Sequence, residues 1–222
     1  MRRMWIWSLV LGSLLAGPVL AGGQSAAEVV DGMQKLYEST RDFKAAFQQE
    51  YTSAALGRKK VSRGYVYVKK PGMMRWDYVE PGPKHFVSDG KALYVFDPEL
   101  EQVMVDRAFT GSQLSTAVTF LWGRGKLRDE FLVKFGEREG LGGDGFHVLE
   151  LVPKKRARFK KLWFVVEKDS FRVTETIVQD PGDNFNHIRF SKMATNVGLK
   201  DEAFHFAIPE GMEVIEAPKQ QP

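Results

Sequence analysis

From residue 43 onward the hydrophobic pattern has a period of two, and short runs of it recur almost to the end of the chain. Phe43, Ala45 and Phe47 alternate with Lys44, Ala46 and Gln48, as on a strand with one face buried. Ten further strand-like runs follow at 64–69, 73–78, 85–88, 92–96, 101–106, 131–137, 146–152, 160–167, 173–179 and 185–191. Turn chemistry separates them: Lys70-Pro71-Gly72, Glu80-Pro81-Gly82-Pro83, Asp89-Gly90, Asp97-Pro98, Gly142-Gly143-Asp144-Gly145 and Asp180-Pro181-Gly182-Asp183. Connections this short pair neighbouring strands antiparallel. The expectation is a mainly β domain of about eleven antiparallel strands, undivided by any repeat, linker or change of composition.

Two segments break the pattern. Ser25-Ala26-Ala27-Glu28 is a capping box, and Val29, Val30, Met33, Leu36 and Tyr37 follow at helical spacing, predicting a helix over 26–38. Gly111-Ser112 opens a second segment carrying Leu114, Ala117, Val118, Phe120, Leu121 and Trp122, read as a short helix over 111–122. Two helices are too few to seal one face of so large a sheet, so a concave, apolar, partly covered face is expected.

The N-terminus reads as a secretory leader. Arg2 and Arg3 precede an apolar run from Met4 to Leu20, and Val19-Leu20-Ala21 suits a signal peptidase, so residues 1–21 are expected to be removed and 22–222 to form a single domain. Arg2 and Arg3 leave with the leader, so 30 Lys and Arg remain against 28 Asp and Glu, and the formal charge falls from +4 to +2. That balance and an exported destination disfavour nucleic acid as a partner. Cysteine is absent, which removes disulfides, thiol chemistry, thiolate zinc sites and attachment of lipid at the position after cleavage, Gly22. The product is expected to be a free, monomeric periplasmic protein.

Catalytic chemistry is not legible. His85, His147, His187 and His205 are scattered, and no nucleophile elbow, phosphate loop or metalloprotease spacing occurs. Asp180 to Asn184 has calcium-loop residue types without the ligand spacing, and reads as a hairpin turn. No enzymatic activity, cofactor or metal is expected. Lys154, Lys155, Arg156, Arg158, Lys160 and Lys161 form the densest basic cluster, either a solvated hairpin or a patch that docks on an acidic partner or anionic headgroups.

The remaining signal is apolar. Strict alternation puts Met74, Trp76 and Tyr78 on one face of a strand and Arg75 and Asp77 on the other. Met33, Leu36, Phe43, Phe47, Phe86, Leu93, Val95, Leu114, Val118, Phe120 and Leu121 are the candidates to extend that face into one lining. Ordinary core packing is the competing reading for each.

An ordered series of segments carries a resemblance. Residues 65–78, running from Tyr65-Val66-Tyr67 to Arg75-Trp76-Asp77-Tyr78, are followed by Pro81, by 87–98, by Glu101-Gln102-Val103 and by Phe204-His205-Phe206 ahead of Pro209 to Ile215. The series resembles the outer-membrane lipoprotein carrier family. That resemblance implies an incomplete barrel with a helical lid over an apolar cavity that shields lipoprotein acyl chains. It also implies loading by an inner-membrane ABC-type release complex and delivery to an outer-membrane receptor, itself a lipoprotein of similar fold. The absence of cysteine favours the free carrier over the anchored receptor. The family typically places an arginine before the turn proline, where it holds the lid closed; here Lys70 stands in that position. The alternatives are a periplasmic β-sheet protein-interaction module, a general lipid-binding protein without lipoprotein transfer and, more weakly, a lipid hydrolase.

Overall fold

A computed structural model describes residues 23–109 and 125–217. The leader and the segment read as a helix at 111–122 lie outside the described residues. The chain begins with helix α1 (Ala26–Ser39) and continues through β1 (Asp42–Ser53), β2 (Arg58–Lys69), β3 (Met73–Glu80), β4 (Lys84–Asp89), β5 (Leu93–Asp97) and β6 (Gln102–Asp106). After one turn of helix, α2 (Leu127–Glu130), come β7 (Phe131–Phe135), β8 (Phe146–Pro153), β9 (Lys161–Glu167), β10 (Val173–Gln179) and β11 (Phe185–Thr195). A 3-10 turn (Asp201–Phe204) and β12 (Glu213–Glu216) close the described chain.

All twelve strands belong to one sheet, ordered β12-β6-β5-β4-β3-β2-β1-β11-β10-β9-β8-β7. It consists of two meanders, β1 to β6 and β7 to β11, joined where β1 pairs with β11 from Phe43↔Thr195 to Thr52↔Phe185. The eleven expected strands are all present and pair antiparallel. The twelfth was not foreseen and pairs differently: β12 runs parallel to β6, Glu213 beside Gln102 and Glu216 beside Val105. β12 and β7 end the order without meeting, so the sheet stays open, an incomplete barrel.

Curvature follows from what α1 touches. Its Ser25–Glu28 capping box is formed, and Val29, Val30, Met33 and Tyr37 are buried against the sheet. Fourteen residues make a helix about 21 Å long. Its last turn meets the end of β2, and Asp31 meets Arg128 of α2, next to β7. β2 and β7 lie six places apart in the order, roughly 29 Å if flat, so the sheet wraps around the helix. Side chains on the inner face converge accordingly: Trp76 of β3 and Phe190 of β11, with two strands between them, bring their ring centres within 6.4 Å.

The outer face is sealed separately on each half. On β4 and β6, Val87, Val103 and Val105 are fully buried, and the C-terminal segment lies on this side, its turn with the fully buried Phe204 against β3 and β4 and Phe206 lying 5.5 Å from Tyr94 and 5.7 Å from Phe96. On the other half Trp163, Val165 and Ile177 form a small outer cluster with Phe146 and Phe185. Among the described residues no helix is long and apolar enough to cross a membrane.

Candidate functional site

The inner face is built by alternation. Phe43, Ala45 and Phe47 of β1, Val66 and Val68 of β2 and Met74 and Trp76 of β3 all point inward, and with Met33 of α1 they form one continuous apolar cluster. Leu36, Tyr78, Phe86 and Leu93 pack against it, half-buried. Val95 is half-buried between Phe86 on β4 and Met104 on β6. Leu114, Val118, Phe120 and Leu121 lie outside the described residues. The structure thus brings together nine of the expected lining residues and places Val95 at their margin. Arg75 points outward, as alternation requires, and donates to Asp77 at 2.7 Å and to the Ala203 carbonyl at 3.3 Å.

Half of this surface was missed in the sequence. Leu149 and Leu151 of β8, Leu162, Phe164 and Val166 of β9 and Ile188 and Phe190 of β11 belong to the same cluster. The signal was present on β11, where Ile188 and Phe190 alternate with His187 and Arg189. What the local pattern could not give was that the two meanders join edge to edge and share one concavity.

Aromatic contacts cross the strands where a side chain is missing. Phe47 of β1 and Tyr78 of β3 both pair with Gly64 of β2, and over that glycine their rings meet edge to face at 4.9 Å. The Tyr78 hydroxyl donates to Gln49 at 2.8 Å, and burial pushes its pKa up to about 12. Beyond Tyr78 and Phe86 the face turns polar, with Gln49, Ser62, Glu80 and Lys84 lining a groove of about 350 Å³ at its open end.

Helix α1 is held over the face at its C-terminal end. That end carries no basic residue of its own in its last turn, so its carbonyls lack a cation. Lys70, just past β2, supplies one: its ammonium donates to the main-chain oxygens of Tyr37 and, at 3.2 Å, Glu38. Burial lowers the Lys70 pKa, with the nearby Glu38 opposing the shift. From the other half of the sheet the amide of Val173 donates to the Tyr37 hydroxyl at 3.1 Å. Burial raises that phenol to about 12 as well.

The basic run divides into residues with partners and residues without. The Lys154 ammonium donates to the Arg128 carbonyl at 2.7 Å, Lys160 pairs with Asp183 at 2.7 Å, and Lys161 shares Glu150 with Lys134. Lys155, Arg156 and Arg158 are exposed and, among the described residues, enter no ion pair.

The family model described as outer membrane lipoprotein carrier protein LolA matches residues 38–207. The chain belongs to that family. An outer-membrane lipoprotein carrier protein from Dechloromonas aromatica is 31% identical over 192 residues, covering 85% of this chain and 88% of the relative. Another, from Chromohalobacter salexigens, is 28% identical and covers 96% of this chain and 98% of the relative. A solved structure of an uncharacterised conserved protein from Thermus thermophilus superimposes with a TM-score of 0.55 at 13% identity, covering 87% of this chain and all of that one, and shows the same fold. The matched LolA region begins at Glu38, at the end of α1, and runs through Phe206 to Ala207. It takes in Lys70, both meanders and the outer-face plug, while most of the helix that Lys70 holds precedes it.

Proposed function

We propose that this LolA-family chain is a periplasmic carrier that shields the acyl chains of lipoproteins on its inner face. It accepts them from an inner-membrane ABC-type release complex and passes them to an outer-membrane receptor, with no chemical step. The observation that carries this reading is the pairing of a continuous apolar face with a helix that packs its own apolar side on it and is pinned at its C-terminal end by hydrogen bonds from Lys70 and Val173. Each methylene moved into water costs roughly 0.8 kcal/mol, so a lipoprotein with three long acyl chains faces a barrier on the order of tens of kcal/mol without a carrier.

Loading then exchanges contacts. The acyl chains replace α1 against Met74, Trp76, Phe43 and Phe47, and the ammonium of Lys70 lets go of the Tyr37 and Glu38 carbonyls. The rings and the flexible methionines Met33 and Met74 adapt to chains of variable shape. The open edge between β7 and β12 lets the sheet widen without breaking a strand pairing. Uptake draws on the release complex, and delivery runs down an affinity gradient to the receptor.

The test is to incubate the mature protein with spheroplasts and to examine what it binds by mass spectrometry. Triacylated lipoprotein released in a one-to-one soluble complex supports the reading. A protein that emerges empty, with lipoproteins retained in the membrane, overturns it.

A further inference from the structure

At the β7 edge of the inner face, remote from the β1 to β3 lining, a groove of about 370 Å³ opens where α2 passes into β7 beside the connection between β8 and β9. Its floor is apolar: Phe131 and Phe159 stack with ring centres 6.1 Å apart and planes 25° apart, and Pro153 lies beside them. Its walls carry both signs of charge, Lys155 and Arg156 from the connection and Asp129 and Glu130 from α2. All four are exposed, and among the described residues none enters an ion pair, with each other or with anything else. The connection itself is anchored: Lys154 donates its amide to the Glu130 carbonyl at 2.9 Å and its ammonium to the Arg128 carbonyl at 2.7 Å. The two walls are therefore held at a set spacing with their charges unneutralised.

Such a groove discriminates by headgroup. A purely anionic group would meet Lys155 and Arg156 but be repelled by Asp129 and Glu130, and a purely cationic one would suffer the reverse. A zwitterion satisfies both walls, and a hydrocarbon chain attached to it would lie on the phenyl floor. We propose that this groove binds a single zwitterionic phospholipid of the phosphoethanolamine type, the phosphate on Lys155 and Arg156, the ammonium on Asp129 and Glu130 and one acyl chain across Phe131 and Phe159. The site lies at the β7 edge of the inner face, and the proposal does not depend on the carrier reading.

The experiment titrates dihexanoyl-phosphatidylethanolamine, below its micelle concentration, into the isotopically labelled mature protein and follows backbone amide shifts. The expected result is saturable movement of the amides around Phe131, Lys155 and Phe159. Lys155→Gln with Arg156→Gln should weaken binding of this lipid at least tenfold. Asp129→Asn with Glu130→Gln should weaken it at least threefold while leaving the dihexanoyl-phosphatidylglycerol counterpart bound as well as before or better. These surface changes should leave the remaining spectrum unmoved. Shifts confined to β1, β2 and β3, no shifts at millimolar lipid, insensitivity to the basic substitutions, or equal weakening of both lipids by the acidic ones would each overturn the assignment.

Discussion

The ammonium of Lys70 and the amide of Val173 converge on Tyr37, the first on its main-chain carbonyl and the second, at 3.1 Å, on its hydroxyl. Lys70 follows β2 in one meander and Val173 opens β10 in the other. A single residue of α1 therefore ties the helix to both halves of the curled sheet. Hydrogen bonds from a charged donor contribute about 1.5–3 kcal/mol, enough to hold a lid and little enough to be released by a bulky ligand.

Lys70→Met removes both donated bonds. It should speed amide hydrogen exchange in the last two turns of α1 by roughly 10- to 100-fold, the equivalent of that hydrogen-bond energy, and accelerate lipoprotein release. Lys70→Arg keeps the charge and adds a planar fork that can reach two carbonyls at once, so closure should tighten and transfer slow. Wild-type exchange and transfer rates in both variants would remove Lys70 from the closing role.

Substitutions on the inner face should separate into two classes by depth. Trp76 is 7% exposed and contacts Phe47 at 4.9 Å, so Trp76→Glu buries a carboxylate among rings and should unfold the protein or cost about 3–5 kcal/mol, as large truncations at such positions do. Val95 is half-buried at the margin of the same face, where a glutamate reaches water. Val95→Glu should melt within a few degrees of the wild type yet retain acylated lipoprotein poorly in a co-purification assay. Full retention by Val95→Glu would exclude the β5 margin from the lipid-bearing surface.

How far the sequence led depends on whether a feature is local. Period-two alternation on β1 and β3 identified the inner residues Phe43, Phe47, Met74 and Trp76, and the Ser25–Glu28 box marked the start of α1, because each is decided within a few residues. β12 escaped notice because Glu213 to Glu216 are all exposed and the strand is short, with no buried face to set a pattern. Val103 and Val105 are buried on the outer face, where the C-terminal segment returns from about a hundred residues away and sets Phe206 against Tyr94 and Phe96, their partners on β5. The partnership of Tyr37 with Val173 spans 136 positions, so the tyrosine read only as one more apolar residue on a helix.

Gly64 is required by its neighbours' backbone. A Cβ there would lie 2.0 Å from the Asp77 carbonyl oxygen and 3.0 Å from the Phe47 ring, at the point where the β2–β3 register shifts. Gly64→Ala should destabilise by about 3 kcal/mol or more, since no side-chain rotation relieves a clash with main chain. A Cβ at Gly32 would instead lie 2.6 Å from the Phe171 ring, and a ring can move. Gly32→Ala should therefore cost less while lifting α1 slightly, which urea denaturation and exchange in α1 would register separately. Equal destabilisation by the two would refute the distinction.

Alkaline stability should report the two buried phenols. Tyr37 and Tyr78 are each pushed up to about 12 by burial, against 10.0 for an ordinary tyrosine. Between those values the folded protein keeps protons that the unfolded chain has lost, so stability is fully present below pH 10 and falls as pH rises toward 12. The slope approaches 1.4 kcal/mol per pH unit for each phenol. Tyr37→Phe would leave the Val173 amide unpaired and lose about 1–3 kcal/mol at every pH, which makes it the poorer probe. Tyr78→Phe only frees Gln49 at the wetter end of the face, so it should cost little at neutral pH and remove close to half of these phenols' contribution to the alkaline fall. Urea titrations of both proteins at half-unit steps from pH 9 to 11.5 measure the difference directly, because ionising lysines contribute equally to each. Parallel curves would show that the Tyr78 hydroxyl titrates as an ordinary, solvated phenol.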